Sequence, residues 1–74
     1  MQTTLSGAMR ALTVNGKSLE SGADTLLALL EELSLKDTPL VAEVDGAIIK
    51  PEDFALTPIR GGEIIELVRF VGGG

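Results

Sequence analysis

The chain closes on Val71-Gly72-Gly73-Gly74, and that last group offers the sharpest chemistry in the sequence. Glycine lacks a Cβ, so a run of three makes a segment thin enough to thread a narrow channel. Its end is a carboxylate with no side chain beside it. A carboxylate oxygen presented in this way can attack the α-phosphate of ATP to give an acyl-adenylate, which a sulfur donor then converts to a thiocarboxylate. The plainer reading is a frayed or linker-like end, because glycine-rich termini occur in domains of every function. What separates the two readings is the element that carries the glycines.

The rest of the side-chain inventory offers little competition. Cys, His, Trp and Tyr are all absent, which removes the usual transition-metal ligands and the commonest general base near neutral pH. Gly61-Gly62 has no Lys-Ser or Lys-Thr after it and opens no helix, so it reads as a turn rather than a phosphate loop. Glu31-Glu32 and Glu52-Asp53 read as solvated faces, since no pocket or partner base accompanies them. Arg60 and Arg69 are possible anion contacts that nothing in the sequence singles out.

At 74 residues there is room for one small core. The apolar fraction of 45% is ample for folding and argues against disorder. A net charge of −5 argues against a phosphate backbone as partner and fits basic patches on other proteins. No run approaches the roughly 20 apolar residues of a membrane-spanning helix. Met1 to Ala8 has neither a basic segment nor an apolar run, so it is not a signal peptide. Residues 1–8 are expected to be a disordered leader, 9–71 the folded domain and 72–74 a flexible tail, with the cytoplasm as location.

The elements follow from pattern. Arg10–Val14 alternates as a first strand, and Asn15-Gly16 turns it into Lys17–Glu20, because both positions of a tight hairpin turn need positive φ. Thr25–Leu33 places Leu26, Leu27, Leu29, Leu30 and Leu33 on one helical stripe, with Asp24 as the expected N-cap. Leu40–Val44, the turn Asp45-Gly46 and Ala47–Ile49 form a second hairpin; Pro51–Phe54 suits a helical turn. Glu63–Phe70 is the last strand. This order predicts an α+β fold of the β-grasp, ubiquitin-like type: a mixed sheet of four to five strands, one main helix across one face, and the last strand parallel to the first.

That last strand departs from simple alternation. Ile65, Leu67 and Val71 share one face with Arg69, while Ile64, Val68 and Phe70 share the other with Glu66. A sheet covered on one side should be polar on the other. Either Phe70 folds over a sheet edge or this second apolar face docks a partner.

Taken together, the chain resembles the sulfur carriers of thiamine biosynthesis, the ThiS family. The resemblance rests on Val14-Asn15-Gly16-Lys17, Asp24 to Leu30, Val44-Asp45-Gly46 with Ile49 and Pro51, Gly62 to Val68, and Phe70 to Gly74. It spans Met9 to the end. It implies the β-grasp fold and a carrier that is acted upon rather than an enzyme. An E1-like adenylyltransferase would adenylylate Gly74 with ATP and magnesium, and sulfur from a cysteine desulfurase would give the thiocarboxylate. Thiazole synthase would take that sulfur. Gly72 and Gly73 would lie in the partner, and Val68, Phe70 and Val71 would dock it. No bound cofactor, metal, nucleic acid or membrane is implied. The sulfur carrier of molybdopterin synthase is the alternative within the class, disfavoured because Asn15-Gly16 turns the chain at once after the first strand. A regulatory β-grasp binding module is the alternative outside it.

Overall fold

The structure, a computed structural model, describes residues 9–70. The expected leader 1–8, Val71 and the tail Gly72–Gly74 lie outside the described residues. Five strands, one α-helix and one 3-10 helix follow in the order β1 (Arg10–Val14), β2 (Lys17–Ser21), α1 (Leu26–Glu32), β3 (Leu40–Val44), β4 (Ala47–Ile49), the 3-10 helix (Pro51–Leu56) and β5 (Ile64–Arg69). The sheet order is β2-β1-β5-β3-β4, with β1 and β5 parallel and the other pairs antiparallel. This is the expected β-grasp arrangement with its full five strands.

Both hairpins close on turns whose first residue is left-handed, Asn15 at φ 50° and Asp45 at φ 49°, each followed by a glycine at positive φ. Asparagine and aspartate tolerate that region and glycine enters it freely, so the two dipeptides fix the turn positions from sequence alone. β2 runs one residue longer than expected, to Ser21, and β5 stops one residue short at each end.

The helix begins differently from expectation. Thr25, not Asp24, is the N-cap: its side-chain oxygen accepts from Ala28 N–H at 3.1 Å. The cause is tertiary. Thr25 is held extended by a bridge to Pro58, and Leu26 N–H donates to Thr57 C=O at 2.9 Å, so the change from extended to helical backbone falls after Thr25. Asp24 instead meets Arg10 at 3.1 Å on the surface. At the other end Ser34 turns left-handed at φ 62°, Ser34 N–H donates to Glu31 C=O and Leu35 N–H to Leu30 C=O. Those two bonds form a Schellman-type cap that satisfies the last helical carbonyls.

A helix of seven residues has little stability of its own and is held by packing. Leu26, Leu29 and Leu30 are fully buried against Leu12, Ala42, Ile65 and Leu67 on the inner sheet face. Each such leucine contributes roughly 1.5–3 kcal/mol of gross burial. Phe54 from the 3-10 helix and Ile59 from the loop after it complete the same core. No helix among the described residues is long and apolar enough to cross a membrane.

Candidate functional site

The candidate site is built on β5, the central strand, because the chain leaves the described fold from its end. β3 pairs with it along its length, from Val44 opposite Ile65 to Leu40 opposite Arg69. β1 pairs only at its start, Thr13 opposite Ile64 and Val14 opposite Ile65. Beyond Ile65, β3 is therefore the only strand neighbour of β5 among the described residues.

The two hairpin turns make up the difference. Asn15 N–H donates to Ile65 C=O at 2.9 Å, and the Asn15 side chain then acts in place of missing strand. Its Oδ1 accepts from Leu67 N–H at 2.7 Å and its Nδ2 donates to Leu67 C=O at 3.1 Å. On the opposite flank, Asp45 N–H donates to Ile64 C=O and Asp45 Oδ1 accepts from Ile64 N–H, both at 2.8 Å. Each turn residue thus does two things: it supplies a left-handed bend and it grips β5. The last bond of the described strand is Phe70 N–H to Pro39 C=O at 3.1 Å.

β5 turns Ile65 and Leu67 into the core and Ile64, Val68 and Phe70 outward, where they are 53, 61 and 65% exposed. The outer face continues through Val41, which is paired with Val68, and Ile48, which is 67% exposed beside Glu43. Among the described residues nothing covers this apolar surface. Glu43 and Glu66 face each other across β3 and β5 within it.

The other candidate side chains lie apart from this face. Glu31 meets Lys36 at 3.6 Å, Glu32 accepts from the Ser21 hydroxyl, and Glu52 and Asp53 are exposed, so neither carboxylate pair converges on a site. Gly61-Gly62 is a turn: Gly62 has φ +87° and donates to Ala11 C=O at 2.8 Å. Arg60 and Arg69 are exposed. No group of acidic side chains able to hold a metal occurs among the described residues. An open groove of about 330 Å³ is lined by the apolar Leu27, Pro39, Leu40, Pro51 and Phe54 together with Lys36, Asp37 and Thr38. Gly74, Gly72, Gly73 and Val71 fall outside the described residues.

Sequence reasoning missed the grip of Asn15 and Asp45 on β5 and the Glu43–Glu66 juxtaposition. The turn dipeptides were visible, but their second role depends on β5 lying between them.

The model of the ThiS family matches residues 4–74. A crystal structure of a thiamine biosynthesis protein (ThiS) from Geobacter metallireducens superposes with a TM-score of 0.73 at 32% identity, covering 86% of this chain and 99% of that one. An NMR solution structure of a thiamine biosynthesis protein from the same organism gives 0.70 at 32% identity, covering 86% and 87%. No curated protein matches the chain.

Proposed function

The chain belongs to the ThiS family, and from that premise we propose that it is a sulfur carrier of thiamine biosynthesis whose Gly74 carboxylate carries the sulfur. One observation supports this most: β5 is gripped from both flanks and presents Ile64, Val68 and Phe70 to solvent immediately before the terminal glycines. A docking surface on β5 would then stand directly ahead of the tail in the chain. A partner that seats on Val68, Phe70 and Val71 receives Gly72 and Gly73 in register.

The chemistry belongs to the partners. An E1-like adenylyltransferase uses ATP with magnesium. The Gly74 carboxylate attacks the α-phosphorus, pyrophosphate leaves, and the acyl-adenylate forms. Sulfur from cysteine, held by the desulfurase system as a persulfide, attacks the acyl carbon and expels AMP, and a thiol reductant then splits the resulting acyl disulfide to leave the thiocarboxylate. Thiazole synthase takes up that sulfur. This chain supplies position and a reacting carboxylate, with no catalytic side chain of its own, and the reaction is placed in the cytoplasm. The tight Asn15-Gly16 hairpin favours the thiamine branch over the molybdopterin one.

Removing Gly73 and Gly74 tests the role of the tail. The truncated chain is expected to keep its circular dichroism spectrum and melting temperature and to lose activation, measured as ATP–pyrophosphate exchange with the adenylyltransferase. Exchange at the full-length rate would remove Gly74 from the mechanism.

A further inference from the structure

The outer sheet face carries a pairing that works against the isolated protein. Glu43 and Glu66 are direct cross-strand partners, which sets their Cβ atoms about 4.5–5.5 Å apart, and like charges in that relation destabilise a sheet. Neither forms an ion pair with any described residue. The cations carried on the strands cannot help. Arg10, Lys17 and Arg69 pair with Ser21, Val14 and Leu40, all positions of the inner face. Lys50 stands beyond the end of β4 and forms no ion pair.

The pair is also framed by hydrocarbon. Ile48 is opposite Glu43 on its other side, Val41 and Val68 form the next outward-facing pair along the strands, and Ile64 is the outward residue on the opposite side of Glu66. A partner that covers those side chains must also cover the two carboxylates. Desolvating two adjacent anions without a counter-charge is prohibitive. A second copy of this chain would bring two further glutamates to the same place, since a two-fold contact repeats its own surface.

Building on the carrier reading, we infer that this face is made for a basic partner surface, with an arginine of the activating adenylyltransferase entering between Glu43 and Glu66. A guanidinium has five N–H donors in a planar fork and can bond both carboxylates at once. The apolar frame excludes water around it, and the net charge of −5 steers the approach of a basic surface. The same two residues therefore act with opposite sign in the two states: they repel in the free carrier and attract in the complex.

The test uses Glu43→Gln, Glu66→Gln and the double variant. Both residues lie at the surface, and glutamine keeps the side-chain length. Melting temperature is measured on the free protein, and Kd for the adenylyltransferase of the same genome by titration calorimetry at two salt concentrations. The double variant is expected to melt higher than the parent, to bind at least about tenfold more weakly, and to lose much of the salt dependence. An unchanged Kd, with Phe70→Asp still weakening binding, would show docking by apolar contacts alone and overturn the charged seat while leaving the carrier reading intact. A parent protein that neither binds the adenylyltransferase nor is converted to a thiocarboxylate would overturn both.

Discussion

Replacing Asn15 with alanine removes both side-chain bonds to Leu67, one accepted at 2.7 Å and one donated at 3.1 Å. Each is worth about 0.5–1.5 kcal/mol net, so the pair contributes about 1–3 kcal/mol. Alanine must also hold the left-handed backbone of this position, φ 50°, which adds about 1 kcal/mol. The expected loss is about 2–4 kcal/mol. A 74-residue domain holds about 4–11 kcal/mol in all, so the melting temperature should fall by about 10–30 °C. Asn15→Asp separates the terms: it keeps the acceptor and tolerates the backbone, loses only the donor, and should cost about 1 kcal/mol. Urea denaturation gives the magnitudes, and amide exchange at Leu67 reports the grip itself. A loss under about 0.5 kcal/mol for alanine, with Leu67 exchange unchanged, would refute the role assigned to Asn15.

Leu67→Ala and Phe70→Asp should differ sharply although the residues are three apart. Leu67 is buried, and its truncation is expected to cost about 2–5 kcal/mol; Phe70 is exposed, and its replacement should stay within about 0.5 kcal/mol in urea denaturation while weakening partner binding. Equal losses would reverse the assignment of the two faces. Ser21→Ala strips a buried hydroxyl that accepts from Ala23 N–H at 2.9 Å and donates to Glu32. The orphaned amide should cost about 1–3 kcal/mol, and an unaltered melting temperature would contradict that accounting.

Much of this fold is written locally. β1, β3 and β4 have the bounds that alternation and the turn dipeptides set, because Asn15-Gly16 and Asp45-Gly46 admit few backbones other than a tight turn. The leucine stripe of α1 and the inward and outward residues of β5 follow from periods of 3.6 and 2. What was not legible depends on distant partners. Thr25 caps the helix because Thr57 and Pro58 lie beside it, more than thirty residues on. Ile59 enters the core from a loop with no periodicity to announce it. Glu43 and Glu66 become neighbours only through the β3–β5 register, which neither segment encodes alone. In the candidate site, the second apolar face of β5 could be read directly, while the devices that hold it could not.

The central claim is that the Gly74 carboxylate is converted to a thiocarboxylate. Intact-protein mass spectrometry tests it after incubation with the E1-like adenylyltransferase, ATP, magnesium and a cysteine desulfurase with cysteine. The mass should rise by the difference between one sulfur and one oxygen atom, and fragmentation should place the gain on Gly74. An unchanged mass, under conditions in which an established carrier of the family is fully converted, would contradict the account.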